Sequence, residues 1–532
     1  MSDTSKKQTF LHGAALLTAA TALVKVIGAL YKIPLNAIIG EQGFGYFNTA
    51  YQIYSVLLLI STTGLPVAAS RMISQASALG HTNQVRRVFQ TAKILYLSLG
   101  AVSTILMLAF CRQLAEFQGQ PNAWAAIACL APCAFLVCLL STYRGFFQGQ
   151  GNMIPTAVSE VIEAVCKLLV GIPTALIILN ATNSVAYAAA GAIFGVLVGN
   201  LMGAFYMRVM QRQDYQTMAA TYETPSSYRR VFKSLLSIAV PITIGSAGLQ
   251  AMYLLEAHLF MGQLLTYNTQ AQADTVKGIY DMALTIYNLP GALTAPITIS
   301  IIPAITAHLT RCHDVGVRAS EESAARVTAL IAMPCAVGLM LLGEPVMALL
   351  GGYEASQIPL AGACLAVLGV GLYFYAVTQL TNAIMQAHGH ATQPVIHILL
   401  AGVLKLGVVY VLVGNPNIGI VGVCIGSALC NLFVSVLNII AIRYYVPQKP
   451  RLIRSFLRPL VPSIVMGGAA YGTWRGMQLL LGSDGSRLLL CAVPVAVGVI
   501  VYVAMAILCK SITREDCMLL PKGEKLADFL HL

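Results

Sequence analysis

Apolar segments of membrane-crossing length recur about fourteen times along this 532-residue chain, and the repetition leaves room for one class of fold. They run over 10–39, 46–70, 88–110, 123–143, 154–178, 185–207, 234–262, 278–306, 326–343, 358–385, 393–413, 419–442, 459–477 and 488–508. Each reaches or approaches the roughly 20 residues that carry a helix across the hydrocarbon core. With 57% hydrophobic and only 10% charged residues, no soluble core could hide so much apolar surface. The sequence predicts an all-α polytopic membrane protein whose even number of spans puts both termini on one side.

The net charge of +12 would suit a nucleic-acid binder, but its distribution reports orientation instead. Lys6, Lys7, Arg86, Arg87, Arg229, Arg230, Lys233, Arg311, Arg318, Arg451, Arg454, Arg458 and Lys510 all fall in the termini or the even-numbered loops. The opposite loops hold only Arg112, Lys277, Arg475 and Arg487. The positive-inside rule therefore places both termini in the cytoplasm, and no nucleic-acid partner is expected. Ala20-Thr21-Ala22 mimics a signal-peptide cleavage site, yet the apolar segment continues to Gly40, which reads as a retained first helix.

Chemistry by a cofactor or metal finds no support. The 13 cysteines lack metal-ligand spacing and sit mostly inside apolar spans, where cysteine acts as a small hydrophobe. The chain has no phosphate-binding G-x-x-x-x-G-K-[ST] loop, no H-E-x-x-H and no acidic cluster suited to holding a metal for glycosyl transfer. Catalytic residues, cofactors and an enzymatic role are not expected.

The chain repeats itself. Gly191–Asn200 aligns with Gly422–Asn431 at an offset of 231, and Val165-Cys-Lys167-Leu with Val403-Leu-Lys405-Leu at 238. Gln148 and Gly151 match Gln386 and Gly389 at that second offset, and Gly45–Tyr54 loosely matches Gly278–Tyr287. Four matches in order define two parallel six-helix lobes, 1–210 and 234–445, joined by a cytoplasmic linker at 211–233. Residues 446–532 add two C-terminal helices and a cytoplasmic tail. Lobes of the same orientation enclose a cavity that opens to either side by rocking.

Charge at bilayer depth costs at least about 2.5 kcal/mol, so the deep cations Lys25, Lys32, Lys167 and Lys405 predict an anionic ligand. Lys25 lies farther from the start of its span than a lysine stem reaches, whereas Lys32 is nearer the outer surface, within snorkelling range. Glu163 and Lys167 are four apart, which stacks acid and base on one helix face, with Glu160 one turn away. Position 401 is Ala, so Lys405 has no such acid. Arg71 and Arg144 stand at inner helix ends, either as topology markers or at a cavity mouth. Glu256 and Asp281 are candidates for ion coupling, or for capping and pairing with Lys277. Pro34, Pro66, Pro241, Pro290, Pro296 and Pro303, with Gly28, Gly64, Gly245 and Gly248, interrupt helices that would bend as gates, although kinked packing explains them equally.

The run Arg144-Gly-Phe-Phe-Gln-Gly-Gln-Gly-Asn152-Met-Ile-Pro155-Thr-Ala-Val-Ser-Glu160-Val-Ile-Glu163, with Lys25-Val-Ile-Gly28-Ala-Leu-Tyr-Lys32-Ile-Pro34 and Gly64-Leu-Pro66, resembles the stage V sporulation protein B group. That group belongs to the multidrug/oligosaccharidyl-lipid/polysaccharide exporter superfamily and is related to the lipid II flippases. The resemblance implies a fourteen-helix flippase for polyprenyl-pyrophosphate-linked sugars in the bacterial cytoplasmic membrane, with basic cavity residues on the pyrophosphate and the last two helices grooved for the lipid tail. Lys25 matches a basic position of helix 1 in the lipid II flippases, and Lys32 is offset by one from the next. Their basic residue inside helix 2 has no counterpart, since Leu57 to Ser61 is uncharged. Lipid-linked oligosaccharide, membrane lipids and cell-envelope synthesis enzymes are the partners implied, for a monomer. A cation-coupled multidrug exporter of the same superfamily is the alternative; it would want acids in its cavity, whereas the deep charges are mostly basic.

Overall fold

A computed structural model describes residues 2–62, 64–218, 222–310, 313–350, 353–481, 486–509 and 511. Among them there is no strand, and the order is α1 (Ser2–Thr62), α2 (Gly64–Ala78), α3 (Thr82–Ala109), α4 (Cys111–Phe117), a 3-10 turn (Pro121–Ala123), α5 (Trp124–Gly149), α6 (Ile154–Thr182), α7 (Val185–Thr217), α8 (Tyr228–Leu264) and α9 (Gln270–Tyr287). It continues with α10 (Leu289–Thr310), α11 (Asp314–Leu341), α12 (Gly343–Leu350), α13 (Ile358–Ala387), α14 (Thr392–Val413), α15 (Val421–Tyr445), α16 (Leu452–Leu457), α17 (Leu460–Leu481) and α18 (Arg487–Leu508).

The chain is an all-α polytopic membrane protein. Nine helices among the described residues are long and apolar enough to span a bilayer: α3, the helical run through α5, α6, α7, α11, α13, α14, α15 and α18. The other five expected spans lie on α1, on α1 with α2, on α8, on α9 with α10, and on α17. Residues 278–306, expected as one span, are divided between α9 and α10 at Asn288, while 46–70 lies on α1 and α2 to either side of position 63, which is outside the described residues. Pro290 falls in the first turn of α10, where a missing N–H costs no helical bond. Within α1 the break comes at Gly40, with φ 67° and ψ 178°, a conformation open to glycine at little cost. Pro34 stays inside helix. The side chains of Pro241, Pro296, Pro303 and Lys25 and the surroundings of Gly64, Gly245 and Gly248 lie outside the described residues, as do linker positions 219–221 and tail positions 512–532.

Contacts divide the chain into two compact units, Met1–Gly278 and Ile279–Leu532. In the first, α8 packs on α1, α2 and α3, so helix that follows the linker joins the helices before it. The interior of this unit includes Ile73, Val88, Phe89, Tyr143, Phe146 and Met207. In the second, Ile305, Val317, Leu380, Ile384, Ile442 and Phe456 are core, and α17 and α18 pack on each other and on α11 and α12. Helices of matching length recur at matching places: α3 and α11 each have 28 residues, and each is followed by a short helix.

Lipid gives no hydrophobic drive between helices, so close backbone approach has to hold them together. Gly191, Gly195, Gly199 and Gly203 form a four-residue stripe on α7 laid against α6. A Cβ at Gly199 would stand 2.7 Å from the Glu163 carbonyl oxygen, and one at Gly195 would collide with the backbone of Gly171. Outward-facing Leu169, Ile177, Val403, Val411 and Ile500 are exposed, as lipid-facing side chains should be.

Candidate functional site

The glycine stripe of α7 fixes the turns of α6 that carry Ser159, Glu163 and Lys167. α5 brings Arg144 to the same place, and its guanidinium pairs with the Glu163 carboxylate. Arg144 also donates to Ser159 Oγ, from Nε at 3.4 Å and from the second guanidinium nitrogen at 3.3 Å. The Glu163 carboxylate is thus taken by Arg144, although its spacing stacks it with Lys167. Glu160 accepts a hydrogen bond from Thr21 Oγ1 at 3.2 Å.

Lys167 is held otherwise. Its Nζ lies 4.7 Å from the Tyr31 ring centroid, 4.8 Å from that of Tyr51 and 5.9 Å from that of Phe47. Three aromatic faces around one ammonium make a cation–π cage, which is strongest where water is scarce. Among the described residues no carboxylate pairs with it. The cage is itself anchored, because Tyr31 donates from its hydroxyl to the Ala192 carbonyl at 2.9 Å.

These groups line a cavity of about 310 Å³ within the first unit, with Ile27, Tyr51 and Tyr54 beside Arg144, Glu163 and Lys167. Arg144 and Lys167 are balanced by Glu160 and Glu163, so an anion gains most where the Arg144–Glu163 pair opens and both cations face it.

The other expected residues are spread out. Lys32 is half-buried, donates to Asn48 Oδ1 at 3.1 Å and lies 5.9 Å from the Phe44 ring. Lys25 is on α1 one turn before Gly28, its side chain outside the described residues. Arg71 is exposed on α2 and lines a separate cavity of about 890 Å³ with His81, Gln75, Tyr222 and Glu223. Lys405 is half-buried on α14 of the second unit, beside Gly426 of α15. Glu256 on α8 and Asp281 on α9 are both buried.

A second polar cluster includes Lys277, which is expected in an outer loop and is instead inside α9. Asp274 and Lys277 on α9 are fully buried. Asp274 accepts from Tyr46 at 2.8 Å, from Gln270 at 2.9 Å and from Gln120 at 3.2 Å. Gln270 reaches on to the Gly119 carbonyl at 2.6 Å, and Asn122 donates to Tyr46 at 3.3 Å. Its sequence signal was Asp274-x-x-Lys277 at the head of an apolar segment, an acid and a base one helical turn apart.

Comparison with known proteins agrees with the fold. The family model described as "Polysaccharide biosynthesis protein" matches residues 10–308. Stage V sporulation protein B of Bacillus subtilis (strain 168) is 24% identical over 448 residues, which cover 83% of this chain and 85% of that protein. Lipid II flippase MurJ of the same organism is 24% identical over 416 residues, 74% of this chain and 76% of that one. The solved structure of lipid II flippase MurJ in an inward closed conformation superposes with a TM-score of 0.70 at 14% identity, covering 93% of this chain and 99% of the other.

Proposed function

We propose that this chain, which belongs to the polysaccharide biosynthesis protein family, is a flippase for polyprenyl-pyrophosphate-linked sugars, lipid II or a related cell-envelope or spore precursor. The observation that carries the reading is Lys167: an ammonium inside a membrane helix bundle, caged by Tyr31, Tyr51 and Phe47, with a cavity in front of it. A buried cation of this kind is kept for an anion. The pyrophosphate engages Lys167 and draws Arg144 from Glu163, so that Glu163 holds the guanidinium until substrate arrives. Lys25, Lys32 and Lys405 add positive charge along its path, and Arg71 stands at the entrance.

Two lobes of like orientation, 1–210 and 234–445, rock about the substrate in alternating access, and the helices of residues 446–532 guide the lipid tail. Both termini face the cytoplasm. An inside-negative potential contributes about 2.3 kcal/mol per charge per 100 mV toward outward movement of a pyrophosphate that crosses the field. Glu256 and Asp281 are the acids available for ion coupling. The chain acts as a transporter without catalysis, as a monomer, and its further partners are cell-envelope synthesis enzymes.

Complementation tests this. Bacteria depleted of their own lipid II flippase should grow on the wild-type chain, fail on Lys167→Ala at equal expression, and recover in part on Lys167→Arg, which keeps the cation. Full growth on Lys167→Ala would refute the assignment of the anion site.

A further inference from the structure

At the end of α15 the chain turns through Lys449, at φ 45°, and enters the six-residue α16. A cavity of about 340 Å³ lies in this corner, lined by Ile439, Ile442, Leu452, Arg443, Arg451 and Arg454. Leu452 and Phe456 are buried in the core with Ile442 and Val446, which pins α16 by one face. Its other apolar residues turn outward: Ile453 is 45% exposed and Leu457 49% exposed.

The three arginines are exposed and available. Two acids of this corner are already engaged: Glu322 Oε1 accepts from the Arg451 backbone N–H at 2.8 Å and from Arg318 Nε at 2.9 Å, and Asp314 Oδ1 accepts from Gln448 Nε2 at 2.8 Å. Among the described residues, the guanidinium groups of Arg443, Arg451 and Arg454 make no ion pair or hydrogen bond. Three like charges around one small cavity repel one another, and a bound anion relieves that repulsion.

Position decides which anion. The cavity is at the terminus of a membrane-length helix, so one wall is aliphatic and the other is basic. Outward Ile453 and Leu457 beside guanidinium groups form the profile of a segment lying at the headgroup boundary, with aliphatic chains on one side and phosphate on the other. A free phosphate would satisfy the arginines and leave the aliphatic wall in water. A phospholipid covers both.

We propose that Arg443, Arg451 and Arg454 form a binding site for the phosphate headgroup of an anionic glycerophospholipid, with the partly buried Ile439 and the outward Ile453 against its acyl chains. The site is separate from the Lys167 cavity. It rests on the proposed orientation only for its leaflet, which is the cytoplasmic one. Its occupant fixes the α15–α16 corner from which α17 and α18 continue.

The test measures thermal unfolding of the purified full-length protein in detergent against added phosphatidylglycerol, phosphatidylcholine or inorganic phosphate. Phosphatidylglycerol should raise the wild-type midpoint, and the other two should not at equal concentration. The triple variant Arg443→Gln/Arg451→Gln/Arg454→Gln should need about tenfold more phosphatidylglycerol for the same rise, while the triple Lys variant keeps most of the effect. An unchanged response of the triple Gln variant overturns the site. A rise of equal size with inorganic phosphate overturns the lipid, and one with phosphatidylcholine overturns the charge recognition. Should the triple variant not fold, Arg443→Gln and Arg454→Gln singly take its place, and wild-type behaviour in both counts against the proposal. Transport of lipid-linked sugar is read separately, so loss of flipping with the lipid response intact bears on the flippase alone.

Discussion

Lys277 is fully buried, and its Nζ donates to Thr49 Oγ1 at 2.6 Å. Thr49 donates in turn to Gln120 Oε1, and Gln120 donates to Asp274, one turn before Lys277 on the same helix. A base and an acid of α9 are thereby joined through α1 and the segment before α5. Such a ring is stable closed and costly when half-open, because a buried charge that loses its partner is left uncompensated.

Lys277→Ala should therefore destabilise the protein by about 1–3 kcal/mol, the range for leaving a buried hydrogen-bonding group such as the Thr49 hydroxyl without its partner. Asp274→Asn, which keeps hydrogen-bonding capacity, should cost less. Thermal unfolding in detergent checks both, and equal midpoints for Lys277→Ala and wild type would mean that the ring contributes nothing.

Close approach makes a sharper prediction at Gly195. A Cβ there runs into the backbone of Gly171, and backbone cannot step aside as a side chain can. Gly195→Ala should part α6 from α7, cost about 1–3 kcal/mol as overpacking does, and move Lys167 within its cage. Gly28→Ala meets nothing within 4 Å, so it is the control and should leave the unfolding midpoint unchanged.

Long apolar runs made the helical membrane class plain from sequence, because lipid leaves a backbone few other ways to satisfy its polar groups. The Lys167 site was half legible. Its charge and depth could be read along one helix, but the rings of Tyr31, Tyr51 and Phe47 come from α1, and nothing local in the sequence joins them to Lys167. The same limit hid the partner of Glu163: helical spacing offered Lys167 at i+4, whereas tertiary packing delivered Arg144 from α5. Asp274 went unnoticed because its ring closes through Tyr46 and Gln120, over 150 residues away.

Orientation is tested at Tyr222, which is fully exposed between α7 and α8. The chain just after Tyr222 is held to α3: Asn83 donates to the Glu223 carbonyl at 3.3 Å, and the Ser226 N–H donates to Gln84 Oε1 at 2.7 Å. Tyr222→Cys should react with a membrane-impermeant maleimide in inside-out vesicles and stay unlabelled in intact cells. Labelling from outside intact cells would reverse the topology.

The Arg144–Glu163 pair separates architecture from transport. Arg144→Ala leaves the Glu163 carboxylate stranded, and Glu163→Ala strands the guanidinium, so each single change should lower stability by roughly 3–5 kcal/mol. The exchanged pair Arg144→Glu/Glu163→Arg restores opposite charges at the same two positions and should recover most of that loss, a coupling that a double-mutant cycle measures. Transport should part company with stability here. The exchange moves the cation from α5 to α6, away from where Arg144 is proposed to meet the substrate, so the recovered protein should still fail to support growth as the sole lipid II flippase. Growth on the exchanged pair at wild-type rate would show that Arg144 serves Glu163 alone, leaving the pyrophosphate to the lysines.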